Sequence, residues 1–285
     1  MICYSTTPLP LSEYVLVAKN YYAVRSEWAK MSPQSKHLSM CSFFMNRNNQ
    51  LMFTAQSACA IYNIPRLDKY EIRPNCINEK HRSTTEIIHW HCGAVDPDAK
   101  SVDGFLVASP VRTILDLAKR DSPASLLVSI NHCLSNQLFD INDLKFALAN
   151  RPSMKQRKLL ARLLKHVNDK CESPLETIAW VELYNSGFVL PKQQIQFFDM
   201  NEFVACVDMF WELRHRKIVL ELDGKIKYTS DEVLYKEKLR EDRLRKLGIE
   251  VMRSGWTDVK NGTFVQMLKD NGIPIRRYHS TKIPQ

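Results

Sequence analysis

The most constraining feature of this chain is a pair of neighbouring apolar segments that each carry carboxylates. Residues 203–211 (FVACVDMFW) are apolar throughout except for Asp208. Such a run reads as a strand buried on both faces, where an ionised carboxylate is costly unless something compensates it. Residues 217–224 (KIVLELDG) read as a second strand. Strand side chains alternate, so Glu221 and Asp223 share one face while Ile218, Leu220 and Leu222 point to the other. The intervening residues 212–216 are few enough for a hairpin, so antiparallel pairing is expected, in a register compatible with Asp208 beside Glu221.

Acids converging inside an apolar sheet repel each other. At roughly 4 Å and an effective dielectric of about 20, each pair costs about 4 kcal/mol. Three arrangements relieve this: a shared proton, an intruding arginine, or a divalent cation between the carboxylates. Oxygen-only ligands suit Mg²⁺, which takes one or two carboxylates plus waters and substrate phosphate. A phosphodiesterase needs that arrangement, because the metal acidifies and orients a water and offsets charge in the transition state. A structural ion pair, such as Asp208 with Arg214 or Lys225, satisfies the same pattern without chemistry. Upstream, Ser173-Pro174-Leu175-Glu176 reads as a capping box, with Ser173 at the N-cap, Pro174 at the first helical position and Glu176 at the third. That role accounts for both polar residues, and it leaves Glu176 able to point towards an adjoining sheet.

Around these segments the second half reads as a helix over 173–187 and strands over 193–198, 204–211 and 217–223. A helix over 231–247, a strand over 249–253 and a closing helix over 256–268 follow. That order predicts a mixed sheet flanked by helices. The first half reads as a hairpin over 14–24, helices over 33–46 and 54–62, and strands within 70–95 that include Ile72, Ile87, Ile88 and Trp90. It continues with a short strand over 104–108 and helices starting at Pro110 and over 123–135 and 141–149. Ser109 is the expected N-cap of the Pro110 helix, with Arg112 and Asp116 as a surface pair four residues apart. The expected fold class is therefore α/β in the broad α+β sense. It comprises an N-terminal mixed domain (1–150), a basic linker helix (151–170) and a C-terminal domain (171–285).

Charge is unevenly spread. Residues 1–170 hold 22 Lys and Arg against 14 Asp and Glu, whereas residues 171–285 hold 18 against 17. The excess of +8 in the first part points to a polyanionic partner such as nucleic acid, or simply to a basic surface. Residues 151–170 concentrate seven cations against Asp169 alone, beside an apolar stripe of Leu159, Leu160, Leu163 and Leu164. They read as a basic amphipathic helix that either lies on a phosphate backbone or is simply solvated.

Taken together, Ser173–Glu176, Val207–Trp211, Leu220–Lys225, the stretch KEKLREDRLRKLG at 236–248 and Val251–Arg253 resemble the Vsr-like branch of the PD-(D/E)XK endonucleases, over residues 171–260. The resemblance implies a restriction-endonuclease-like fold and Mg²⁺- or Mn²⁺-dependent hydrolysis of DNA. It makes Asp208 the central metal ligand, Glu221 the second acid, Glu176 a helix acid that binds metal or its water, and Asp223 a further member of the cluster. The superfamily places a lysine two residues after the second acid. Asp223 stands there instead, and Lys225, two residues further on the Glu221 face, is the candidate to supply that charge. Lys236, Arg240 and Arg243 lie on one side of their helix and are candidates to grip the scissile phosphate; a solvated face interlaced with Glu237, Glu241 and Asp242 is the plain alternative.

Residues 107–118 and 54–65 resemble the AbiEi-type antitoxins of abortive-infection systems, with residues 14–24 matching only the wing of that family's DNA-binding unit. This implies a DNA partner, a possible toxin or defence-system partner, and, as the alternative to an enzyme, a non-catalytic DNA-binding regulator. His89 and His91 share a strand face, but no second ligand pair has zinc-site spacing, so they read as structural. Eight scattered cysteines without a CxxC pair, no signal peptide and no apolar run of membrane-spanning length make a cytoplasmic protein with reduced thiols and no membrane association the expectation.

Overall fold

The structure is a computed structural model describing residues 2–78, 85–150, 153–224, 231–275 and 282–283. Mixed α+β architecture runs through it, in two compact units, Met1–Val167 and Asn168–Pro284.

In the first unit, β1 (Ile2–Tyr4), β2 (Tyr14–Ala18) and β3 (Tyr21–Val24) form an antiparallel sheet of order β1-β3-β2. The β2–β3 hairpin turns at Lys19-Asn20, and Asn20 takes the left-handed φ of 63° that asparagine tolerates. Helices α1 (Arg25–Lys30) and α2 (Pro33–Met45) follow, the latter capped by Ser32, whose side chain accepts the Ser35 N–H. Then come β4 (Met52–Phe53), α3 (Ala55–Tyr62), β5 (Asn75–Asn78), β6 (His89–Cys92), β7 (Lys100–Val102) and β8 (Phe105–Val107). The five strands build a mixed sheet of order β6-β5-β4-β8-β7. Ile72, Ile87 and Ile88 lie outside its strands, in flanking loops that still pack on the core. Their apolarity signalled burial, whereas a strand also requires a partner in register.

Four helices complete the unit: α4 (Pro110–Leu117), α5 (Pro123–Ser135), α6 (Ile141–Asn150) and α7 (Met154–Leu163). Ser109 caps α4 as expected. The Arg112–Asp116 pair, however, is not on the surface: its side chains are 10% and 2% exposed. Asp116 accepts bonds from Thr54 Oγ1 at 2.8 Å, Arg112 Nε at 2.9 Å and Lys119 Nζ at 2.6 Å, and it faces His91. Burial alone would push this carboxyl up, but His91, Lys119 and Arg112 hold it well below the usual range. A charge at helical i,i+4 spacing can thus sit inside when a network satisfies it. Helix α7 is shorter than the basic stretch that contains it. A reciprocal capping box of Ser153 and Gln156 starts it, the Gln156 amide donates to the Leu115 carbonyl at 3.0 Å, and Leu160 and Leu163 are fully buried.

The second unit contains α8 (Pro174–Asn185), β9 (Lys192–Asp199), β10 (Glu202–Glu212), β11 (Lys217–Asp223), α9 (Asp231–Lys246), β12 (Ile249–Gly255), α10 (Trp256–Asn261) and α11 (Thr263–Asp270). The expected single closing helix is broken at Gly262, which has a φ of 76°. Its sheet has the order β12-β11-β10-β9. The first two hairpin-linked pairs are antiparallel, while β12, reached through the α9 crossover, runs parallel to β11. One face packs Met209, Trp211, Ile218, Leu220 and Leu222 against Leu175, Ala179 and Leu183 of α8 and Phe264 and Leu268 of α11. The other packs Val207, Phe210 and Val219 against Leu244 of α9. All eight cysteines are free thiols, and among the described residues no helix is long and apolar enough to cross a membrane.

Candidate functional site

The site forms where β10 and β11 part. Their ladder runs through Glu212–Lys217, Trp211–Ile218, Phe210–Val219 and Met209–Leu220, and stops there. Continued by one step, that register sets Asp208 opposite Glu221, and by two steps Val207 opposite Leu222. Instead of a further backbone bond, the Asp208 carboxylate Oδ2 accepts the Leu222 N–H at 2.8 Å. Asp208 therefore holds the ends of the two strands together through Oδ2. Because Met209, Leu220 and Leu222 face α8, alternation turns Asp208, Glu221 and Asp223 towards α9.

Glu221 is buried, at 7% exposure. Its Oε1 receives one hydrogen bond from Arg240 Nη2 of α9, at 3.1 Å. Burial pushes its carboxyl up to about 7, with Arg240 opposing and the Asp208 charge reinforcing the shift. The Asp208 carboxyl is also raised, first by burial and then by the charge of Glu172, against the stabilising Leu222 N–H. A group of carboxylates is thus held above its ordinary proton affinity, with one arginine among the described residues bonded to its centre.

Glu176 does not complete the expected capping box. Ser173 accepts the Glu176 N–H at 3.2 Å, but the Glu176 carboxylate Oε2 reaches back to the Glu172 N–H at 3.0 Å and accepts the Gln194 amide at 3.2 Å. It is 5% exposed, and burial raises its carboxyl, aided by the Asp208 charge. Glu176 therefore belongs electrostatically with Asp208 even though it comes from the opposite face of the sheet.

Asp223 lies at the solvent edge, 56% exposed, and pairs with Arg253 at 3.5 Å. Arg253, beside Glu221 on the parallel β12, also holds Glu237 at 3.7 Å and Glu241 at 3.3 Å. Of the three helix cations singled out, Arg240 alone bonds a cluster acid. Lys236 pairs with Glu232 at 2.8 Å and Arg243 with Glu202 at 3.2 Å, both on the surface. Lys225 lies outside the described residues.

Sequence reasoning missed Glu172, Arg253 as the clamp on Asp223, and Cys206. Glu172 raises the carboxyls of both Glu176 and Asp208. Its sole sequence signal is adjacency to the cap Ser173. Cys206 sits two residues before Asp208, its Sγ donates to the side-chain Oε1 of Gln194 at 3.4 Å, and its thiol is raised by burial and then by Glu172, Asp208 and Glu221.

Among the described residues, no three His, Cys, Asp or Glu side chains are gathered tightly enough to cage a metal ion. The donor chemistry nevertheless suits a hard divalent cation: Asp208 and Glu221 offer carboxylate oxygens from one side of the sheet, and such a cation takes one or two carboxylates together with water and phosphate. In the first unit, His91 Nε2 is engaged with Asn75 Oδ1 at 2.8 Å and its Nδ1 lies 3.7 Å from Asp116, which is a structural role. Comparison of the chain with protein-family models, curated proteins and solved structures returns no match.

Proposed function

We propose that the C-terminal unit is a Mg²⁺- or Mn²⁺-dependent DNA endonuclease that hydrolyses phosphodiester bonds. The observation that carries this reading is Asp208. A half-buried carboxylate accepts the Leu222 N–H through one oxygen at the point where two strands separate, on the side of the sheet that also carries Glu221. A purely structural residue at this position needs no charge; a serine or a continued ladder bond closes the gap more cheaply.

In this reading Asp208 and Glu221 hold the metal, and Glu176 and Asp223 act around it. When bound, the cation supplies an acidified water and offsets charge on the phosphate. The chain's own parts are then separable. The Leu222 N–H fixes the Asp208 carboxylate; the Glu172 N–H and Gln194 amide fix Glu176. Glu176, whose proton affinity is raised, is suited to take the proton that the attacking water loses as its oxygen bonds to phosphorus. The departing sugar oxygen is protonated by a second water, and Lys225 is the candidate to polarise the attacking one. In this reading Arg240 meets the phosphate backbone, while Lys236 and Arg243, candidates from the sequence, stay paired with Glu232 and Glu202 on the surface.

A second reading has its own observations. Arg240 already occupies Glu221, Arg253 occupies Asp223, and an acid stands where the resembled superfamily places lysine. These favour a non-catalytic DNA-binding regulator, such as an antitoxin, built on a degenerate nuclease unit. Supercoiled-plasmid nicking separates the two. We expect Mg²⁺- or Mn²⁺-dependent nicking by the wild type and none by Asp208→Asn, whose amide oxygen still accepts the Leu222 N–H. Wild type and variant equally inert over a broad set of DNA substrates, with DNA binding retained in a gel shift, would favour the regulator.

A further inference from the structure

Resting on the endonuclease reading above, we infer that Arg240 is a displaceable resident cation: it occupies Glu221 until the metal arrives, yields to it, and is thereby released to the phosphate.

Ion pairs within this chain differ in how firmly they are held. Arg66 and Asp121 show what a fixed structural pair looks like here: two parallel bonds of 2.8 and 2.7 Å between side chains 4% and 5% exposed. Arg253 is fixed in another way, surrounded by the three carboxylates Asp223, Glu237 and Glu241. Arg240 resembles neither. Among the described residues it makes one bond, to one oxygen of Glu221, and its side chain is 35% exposed. An exchange there costs a single hydrogen bond to a guanidinium that water already reaches.

The helix does not depend on that bond. Glu237 and Glu241 tie α9 to β12 through Arg253, and Leu244 packs in the core beneath it. Arg240 can therefore swing without the helix moving. The exchange also balances charge. Without metal, Arg240 offsets the repulsion between Asp208 and Glu221. With metal bound, a guanidinium beside the cation is repelled; Glu237 and Glu241 of its own helix are already taken by Arg253, and a phosphate held by the cation would offer it a new acceptor. Metal binding and phosphate gripping become coupled through one side chain.

The test measures Mn²⁺ binding directly, without DNA, by the loss of the free-ion EPR signal. Wild type, Arg240→Gln, Arg243→Gln and Asp208→Asn are compared. Removing the resident cation should tighten Mn²⁺ binding by roughly 5- to 150-fold, the range of ordinary site–site couplings. Arg243→Gln deletes the same charge from the same helix, but its partner is Glu202 on the surface, so its Kd should stay within about twofold of wild type. Mn²⁺ should also strengthen binding of the wild type to a DNA duplex more than it strengthens binding of Arg240→Gln. If the glutamine variant fails to fold, Arg240→Met, which keeps the apolar stem, takes its place. Equal Mn²⁺ affinity in wild type and Arg240→Gln, or equal tightening by Arg243→Gln, overturns the exchange while leaving the metal site standing. Absence of Mn²⁺ binding in every form, wild type included, removes the metal site and this inference with it.

Discussion

Glu221→Gln should make the metal-free protein more stable at alkaline pH, although it removes an acid from the proposed centre. The Glu221 carboxyl moves from an ordinary 4.5 to about 7 on folding. At about 1.4 kcal/mol per tenfold change in proton affinity, the ionised form costs the folded state about 3 kcal/mol. Below pH 4.5, folded and unfolded chains both hold this proton and the substitution should be nearly neutral. Between 4.5 and about 7 the unfolded chain releases the proton while the folded one retains it, so stability falls as pH rises. Above about 7 the full cost is present. The glutamine oxygen can still accept the Arg240 N–H, so no donor is orphaned. Urea unfolding in EDTA at pH 8.5 should therefore place Glu221→Gln about 3 kcal/mol above wild type, on the order of 10 °C in melting of the C-terminal unit, and the gap should close towards pH 4.5. Adding Mn²⁺ at pH 8.5 should stabilise wild type alone, by mass action. A variant no more stable than wild type at pH 8.5 in EDTA would refute the claim that burial loads this carboxylate.

The same proton competes with metal, so the wild-type Mn²⁺ affinity should weaken by roughly tenfold per pH unit below about 7; a pH-independent Kd from 5 to 7 would exclude Glu221 as a ligand. In the first unit, Asp116→Ala strands Arg112, Lys119 and Thr54 around a buried void. Denaturant titration should show a loss of about 3–5 kcal/mol. Met200 sits with Asn201 in the two-residue β9–β10 turn at φ of 47° and 70°, and it is 96% exposed. Met200→Asn, relieving left-handed strain without losing packing, should raise stability by about 1 kcal/mol in the same assay.

Local chemistry made much of the fold legible. The Ser109-Pro110 start, the Lys19-Asn20 turn and the apolar strands β10 and β11 all follow from short-range rules of capping, turn formation and alternation. At Asp116 and Glu176 sequence and structure diverge because residues outside the local motif intervene. The Arg112–Asp116 spacing looked like a surface pair because helix periodicity cannot see that Thr54 and His91, far away in the chain, close over it. Ser173–Glu176 looked like a capping box because the Glu172 N–H and the Gln194 amide compete for Glu176 only once β9 lies beside α8.

The candidate site divides along the same line. Alternation in 217–223 and a five-residue connection were enough to set Asp208 and Glu221 on one side of one sheet, since both are consequences of backbone geometry over neighbouring residues. Which charge answers which acid was decided only by tertiary packing. Arg240 reaches Glu221, Arg253 takes Asp223, and Lys236 and Arg243 turn outward because of how α9 crosses the sheet and where β12 pairs. Electrostatic partnership depends on distances between elements remote in the chain, and spacing along the chain carries no record of them.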